Sequence, residues 1–484
     1  MKYLAALALL LIVAACHSGE HKIEKRSYLD LSGTWQFALD SANTGISGGW
    51  FKTALPDSIP LPGTTDAAGK GFLNRDTTTL HLNRVYRYEG AAWYRRSVTI
   101  PESFANRTIV LKMERTKTSR IWVDSTLVGG SRILQSPQVF DLTALLTPGE
   151  HSIAIRIDNR LDLTPYGNVH IYSDETQTNW NGILGEIGLI AMPHTHITRM
   201  RVFPDLPGQK VAVEIGLRNP GGLDSLDLEL IVADPEGHLL PGQKIRAAAD
   251  SLIAVDFPMG DEIQLWDEFQ QPLYRLTAIL SAGEEQDAQS TTFAMRSFEA
   301  RGTQFAVNGR TTFLRGKHDA AVFPLTGHPP MDVDGWRGLY RIAKNWGINH
   351  YRFHSWCPPE AAFTAADLEG IYLQAELPFW GGLESDSVAA LLRAEGLAML
   401  DAYGNHPSLV MFSHGNEIWS GHERVEANII ALKEHDPRPL YTMGSNNNIG
   451  YVPPRPCCDF FVCARTPFEK DTPLPHTRLT HAYV

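Results

Sequence analysis

Leu409-Val410-Met411-Phe412-Ser413-His414-Gly415-Asn416-Glu417 is a short apolar run closed by polar residues and a glycine. It reads as a buried strand whose C-terminal end carries an imidazole, an amide and a carboxylate. A helix-patterned stretch from about Ser387 to Leu400 precedes it, and another near Arg424 to Glu434 follows. The same alternation continues on both sides. Strands are predicted at His350 to Phe353, Ile371 to Glu376, Leu440 to Met443 and Phe460 to Val462, with a short Ala-rich helix from Glu360 to Leu368. Upstream, strand-like Thr311 to Leu314 leads to a helix after Asp334, which reads as its N-cap; Trp336, Leu339, Tyr340, Ala343 and Trp346 share one face, and Gly347 ends it. Strand-helix alternation predicts an α/β unit of parallel strands over residues 297–484. The count is six strands, where closure of a (β/α)8 TIM barrel needs eight, so the expectation is an incomplete barrel.

The chain before this unit has a different period. From Tyr28 to about Pro193, Trp35 and Phe37, Val98 and Ile100, Ile121 and Val123, and Ile153, Ile155 and Ile157 alternate at strand spacing between Gly and Pro turns. This predicts an all-β sandwich over residues 28–195. A second β unit, residues 196–296, alternates at Val211, Val213, Ile215 and Leu217 and at Leu226, Leu228 and Leu230. Its short strands suit an immunoglobulin-like sandwich. The 484 residues are thus read as a multidomain protein.

The first 16 residues give an address. Leu4 to Ala15 is too short to span a membrane and suits a secretory signal. Val13-Ala14-Ala15-Cys16 resembles the lipobox of bacterial lipoproteins, which implies acylation of Cys16 and a lipid anchor in the bacterial cell envelope; the alternative is an ordinary signal peptide cleaved after a small residue. The 43 basic residues against 54 acidic ones give a formal net charge of −11 without a basic run, which excludes a nucleic-acid partner. The five cysteines are too few for a disulfide scaffold, and adjacent Cys457 and Cys458 lack zinc spacing, so no metal site is expected.

Function is read at the strand ends, where a parallel α/β unit presents its ligand-facing residues. These are Lys317, His318 and Asp319; Arg352, His354 and Trp356; Glu376 with Trp380 beyond; His414, Asn416, Glu417 and Trp419; Asn446, Asn447 and Asn448; and Arg465. Carboxylates, amides and imidazoles interleaved with tryptophans suit a sugar, which offers hydroxyl groups and apolar C–H faces.

Gly404-Asn405-His406-Pro407-Ser408, the buried strand and Gly415-Asn416-Glu417 together resemble the acid/base signature of family 2 glycoside hydrolases, the β-galactosidases, β-glucuronidases and β-mannosidases. Leu31-Ser32-Gly33-Thr34-Trp35, Leu61-Pro62-Gly63-Thr64, Trp93-Tyr94-Arg95-Arg96, Trp122-Val123-Asp124, Phe140-Asp141-Leu142-Thr143 and Trp180-Asn181-Gly182-Ile183 resemble that family's N-terminal galactose-binding-like jelly roll. Leu265-Trp266 with Pro272-Leu273-Tyr274 resembles the end of its immunoglobulin-like domain, and Val307-Asn308-Gly309 with Leu314-Arg315-Gly316 its passage into the barrel.

The resemblance implies that Glu417 is the general acid and then the base, and that Asn416 bonds the hydroxyl beside the anomeric carbon. Arg352 matches the arginine of the second-strand motif, and Glu376 takes the third-strand carboxylate position. His354 has two readings, sugar contact or satisfied core histidine, because His354-Ser355-Trp356 departs from the family order. Trp380 and Trp419 are stacking platforms or plain packing. His318 and Asp319 are placed for substrate contact, and Asp174 or Asn179 is expected to reach in from the jelly roll. Asn447 is a contact or a turn residue.

Retaining chemistry also needs a second carboxylate about 5–5.5 Å from the first. Glu469 and Asp471 follow the sixth strand, but neither sits in a glutamate motif after an apolar strand, so the nucleophile is read as missing and the chain as C-terminally truncated. The expected function is a retaining exo-β-glycosidase acting on oligo- or polysaccharide, β-galactosidase-like, with no cofactor. The alternatives are a β-glucuronidase or β-mannosidase type, for which Arg352, Lys317 and Arg465 would answer a uronate, and a non-catalytic carbohydrate-binding envelope lipoprotein.

Overall fold

The computed structural model describes residues 26–176, 178–248, 252–444, 455–462 and 482–483. Cys16, Asn446, Asn447, Asn448, Cys463, Arg465, Glu469 and Asp471 lie outside them.

The first β unit is two antiparallel sheets face to face. One runs in the order Ser27–Asp30, Gly182–Met192, Thr108–Thr116, Gln138–Asp141; the other runs Thr126–Ser131, Thr118–Val123, Gly149–Asp158, Ala91–Ile100, Gly33–Asp40, Asp57–Leu61. The residues that alternate in sequence fill the space between them: Trp35, Phe37, Ile121, Ile153, Ile155 and Ile157 are all buried with Leu111, Met113 and Leu189. Trp93, Trp122 and Ala154 turn to the outer face of the second sheet and are covered there by Trp50 and Phe51. Short Gly63–Thr64 pairs onto Gly182, where a Cβ would lie 2.1 Å from the Gly63 carbonyl oxygen; only glycine permits that approach. The second β unit places a three-stranded sheet (His196–Asp205, Lys210–Arg218, Leu252–Pro258) over a four-stranded one (Gln243–Ala248, Ser225–Ala233, Tyr274–Ala282, Glu285–Phe293). Val211, Val213, Ile215, Leu226, Leu228 and Leu230 are its core.

The third unit begins with an antiparallel meander, Phe298–Arg301, Gln304–Val307 and Arg310–Thr312. The stretch expected as its first parallel strand therefore ends in this meander, and the first parallel strand, β1, is Gly316–Asp319. There follow α1 (Val333–Asn345), β2 (His350–Phe353), α2 (Glu360–Glu369), β3 (Tyr372–Glu376), α3 (Asp386–Tyr403), β4 (Leu409–Ser413), α4 (His422–His435) and β5 (Leu440–Thr442). The five strands are parallel and lie side by side in chain order. The expected sixth strand is not among them: Phe461–Val462 pairs antiparallel with Ala482–Tyr483. No helix among the described residues is long and apolar enough to cross a membrane.

Two details of α1 correct the sequence reading. Asp332, not Asp334, is the N-cap, its carboxylate accepting from the Gly335 N–H at 2.7 Å. Trp336, Tyr340 and Ala343 are buried, but Trp346 is 83% exposed and Leu339 37%. Trp346 is the C-cap, where the backbone has left the helix and its side chain no longer follows the helical face.

Buried polar contacts lock the first β unit to the third. Arg115 donates to the carbonyl oxygens of Cys357 (3.0 Å) and Pro358 (2.8 Å) and to Tyr403 Oη (3.2 Å). Glu395, on α3, accepts from the backbone N–H groups of Leu134 and Gln135. Burial pushes the Glu395 carboxyl up to about 7 from 4.5, against the pull of those N–H donors. A raised folded pKa means stability that is full below pH 4.5 and lost as pH climbs through 7. The loss across that window is about 3 kcal/mol. In thermal melts between pH 5 and 7.5, Glu395→Gln is expected to show a smaller decline in Tm than the wild type. Parallel declines would remove Glu395 as the group responsible.

Candidate active site

The site forms where β2, β3 and β4 end. In-out alternation sends Arg352, Gln374 and Glu376 to one side of the sheet. Glu376 is fully buried, and a buried carboxylate is tolerated only when its oxygens are paired. Arg352 Nε donates to Glu376 Oε1 at 2.7 Å and its Nη2 to Oε2 at 3.4 Å. The Ser355 N–H (2.9 Å) and Gln374 Nε2 (3.2 Å) also donate to it. Ser355 donates from a left-handed conformation, φ 55°, which turns the chain back over Glu376.

The same guanidinium reaches the next strand end. Arg352 Nη2 donates to Asn416 Oδ1 at 2.6 Å, and Asn416, also fully buried, bonds Phe379 O through its own N–H at 2.9 Å. Its Nδ2 has no hydrogen-bond partner among the described residues. A fixed amide with an unspent buried donor is suited to a ligand hydroxyl.

Glu417 follows at φ 43°, a conformation disfavoured for a side chain with a Cβ and worth attention where it occurs. It lies in Asn416–Ser420, which pairs in parallel with Trp380–Gly382. This small ladder beyond the main strands was not foreseen from sequence. It brings Trp380 Nε1 to 2.9 Å from Glu417 Oε2. Gly415 makes the turn possible, since a Cβ there would lie 2.5 Å from the Phe379 carbonyl oxygen. Gly415→Ala is therefore expected to destabilise the chain by about 1–3 kcal/mol, read as a lower denaturation midpoint in urea; an unchanged midpoint would show that the turn can yield.

Aromatic rings wall the other side. His354 sits edge-to-face with His170 (4.4 Å), His318 (4.8 Å) and Trp380 (5.2 Å). Its Nδ1 is 2.8 Å from Ser355 Oγ. Burial, with the Arg352 charge second, pushes His354 down to about 2. Burial, then His318 and Arg352, takes His170 down to about 4, and burial, then Arg352, lowers His318. All three imidazoles are pushed towards the neutral form.

These geometries stand beside likenesses to known proteins. Residues 28–193 match the family model for the sugar binding domain of family 2 glycosyl hydrolases. The β-galactosidase large subunit of Leuconostoc lactis is 21% identical over 87% of this chain. The fold matches β-glucuronidases of Ruminococcus gnavus (TM-score 0.75, 20% identity, 91% of this chain) and Parabacteroides merdae (0.70, 19%, 86%). Over residues 28–193 the chain is thus similar to the sugar binding domain of family 2 glycosyl hydrolases, and its fold is that of the two β-glucuronidases. It spans 72% of the Leuconostoc protein, 76% and 55% of the two solved chains, and 43% of a β-galactosidase of Enterobacter cloacae. The relatives are bacterial, in keeping with a bacterial source for this chain.

Of the residues singled out in sequence, Arg352, Glu376, Asn416, Glu417, Trp380, His354 and His318 come together. The others are engaged differently. Asp319 is ion-paired with Lys317 at 2.5 Å and accepts from the Ala321 N–H, while its carbonyl oxygen holds the His354 N–H and Trp356 Nε1. Trp419 is 50% exposed and lies against Gly381 and Gly382. Asp174 is ion-paired with Arg84 and Arg87, and Asn179 is buried in exchange with Asn159. The first β unit does reach the site, but through His170. Its one sequence signal is a polar ring between Val169 and Ile171, which are buried with the core of the third unit.

Away from the site, Asp234, Glu236 and His238 have ligand atoms within 4.8 Å of one another on an exposed turn. His238 bonds Asp234 and Gln264 bonds Glu236, so the group is accounted for as a stapled turn.

Proposed function

We propose that the chain carries the acid/base half of a retaining exo-β-glycosidase acting on terminal β-linked sugars of oligo- or polysaccharides. The observation that carries this reading is the chain of contacts Glu376–Arg352–Asn416 beside Glu417 at the ends of three adjacent parallel strands. Glu417 protonates the departing glycosidic oxygen and later takes a proton from water; a carboxylic acid set against an indole is suited to both. Asn416 orients the sugar through the amide that Arg352 fixes. In this reading residues 28–195 are the jelly roll, 196–296 the immunoglobulin-like sandwich and 297–484 an incomplete (β/α)8 barrel. Glu376 is an orienting anchor, since its oxygens are already taken by Arg352, Ser355 and Gln374. No nucleophile is assigned, because Glu469 and Asp471 follow no apolar strand. Acylation at Cys16 would tether the chain to the bacterial envelope.

The buried Asn416 amide donor, without a partner among the described residues, also suits a second reading, a carbohydrate-binding lipoprotein without turnover. Hydrolysis of a panel of 4-nitrophenyl β-glycosides by the purified chain separates the two. Turnover of one sugar establishes the glycosidase. Sugar binding without turnover establishes the binding protein, and a folded chain that neither binds nor cleaves would overturn both.

A further inference from the structure

His170 belongs to the first β unit, yet its ring stands 4.4 Å from His354 and 6.0 Å from Trp380, nearly parallel to the indole. The segment that delivers it is anchored on both sides. Val169 and Ile171 are buried with the core of the third unit, and Lys117 Nζ donates to Ile171 O at 2.5 Å. Lys117 is itself buried, over the rings of Trp180 (4.4 Å) and Tyr172 (4.9 Å). So the ring is placed by packing, not by a loose loop. Its Nδ1 has no hydrogen-bond partner among the described residues. His354 and His318 extend the same wall towards β1, and Asn416 presents its unspent Nδ2 nearby through the Arg352 link.

The charges around this wall are committed. Arg352 is held by Glu376 and Asn416. Lys317 is ion-paired with Asp319 and lies 4.8 Å over the Tyr351 ring. Glu417 adds a carboxylate that accepts from Trp380 Nε1. An uncharged imidazole offers one donor and one acceptor, which matches a hydroxyl group. A carboxylate brought to the same place would lose hydration and meet Glu417, with Arg352 and Lys317 already ion-paired.

We infer that His170 is a specificity-determining residue of the sugar site, and that the imidazole wall it completes with His318 and His354 admits uncharged pyranosides and rejects uronic acids. This rests on the glycoside reading of the site and narrows its substrate class. The solved Ruminococcus gnavus β-glucuronidase has been seen with D-glucaro 1,5-lactone, so an acidic lactone is the natural counter-probe.

The test is a fluorescence titration of the full chain at pH 7, reading its tryptophans, with D-galactono-1,4-lactone and D-glucaro-1,4-lactone. The wild type is expected to bind the galactono-lactone at least about tenfold more tightly, and His170→Lys to move that ratio at least about tenfold towards the acidic lactone. His170→Gln keeps a neutral donor and acceptor, so it should keep the order of preference. A residue with only a structural role would weaken both lactones together and leave the ratio alone, which would overturn the inference. So would a wild type that prefers the glucaro-lactone. Binding of neither lactone by a folded chain would instead remove the glycoside reading on which the inference stands.

Discussion

Glu417→Gln is expected to lower turnover of whichever β-glycoside the chain hydrolyses by about 10²–10⁴-fold, the usual contribution of a positioned acid or base. The amide keeps the shape and still accepts from Trp380 Nε1, now 2.9 Å from Glu417 Oε2, so affinity for the neutral galactono-lactone should stay within about twofold. The loss should depend on the leaving group. A 2,4-dinitrophenolate departs without a proton, so its glycoside should suffer far less in bond cleavage than an alkyl glycoside. Equal losses on both would mean that Glu417 does something other than donate the proton. Undiminished turnover would place the acid elsewhere in the site.

Arg352→Met should act on stability as well as on binding. Methionine follows the aliphatic stem but takes the guanidinium away from Glu376, which stays fully buried beside the Ser355 N–H and Gln374. Removing one member of a buried ion pair destabilises by about 3–5 kcal/mol, because the remaining charge stays desolvated. Urea denaturation should therefore show a clear fall in midpoint. Adding Glu376→Gln to the same chain should recover a large part of it, since the uncompensated charge is gone. Recovery of stability without recovery of lactone binding is expected, because Asn416 would still lack the guanidinium that fixes its Oδ1. A single variant within about 1 kcal/mol of the wild type would mean that Glu376 is not held as a buried anion.

Much of this site was legible before any fold was known. A strand of Leu409 to Ser413 followed by Gly415-Asn416-Glu417 declares its own burial and its polar end, because strand period and strand length are local properties. Arg352 and Glu376 could be placed at neighbouring strand ends by the same logic. Their ion pair could not, since nothing in the sequence gives the distance across two strands. Helix boundaries drifted by a few residues for a related reason. The Asp332 side chain rather than Asp334 caps α1, and only the φ and ψ of the turn separate the two.

The residues engaged otherwise are those whose role depends on distant partners. Asp174 and Asn179 have the right chemistry for a sugar, but Arg84 and Asn159 claim them. Asp319 sits at a strand end and is claimed by Lys317. His170, which does arrive at the site, carries no mark beyond its apolar neighbours. It meets His354 across more than 180 residues of chain because two separately folded units share a buried, hydrogen-bonded seam.

The sequence by itself determined the order of the units, the strand-helix alternation of the third and the Asn416-Glu417 pair at a strand end, all of which follow from local periodicity and turn chemistry. The tertiary structure alone decided which carboxylate is neutralised, which imidazoles converge and which unit supplies the last of them. Those outcomes depend on distances of a few ångströms between residues far apart in the chain, and electrostatic and hydrogen-bond energies vary steeply over such distances.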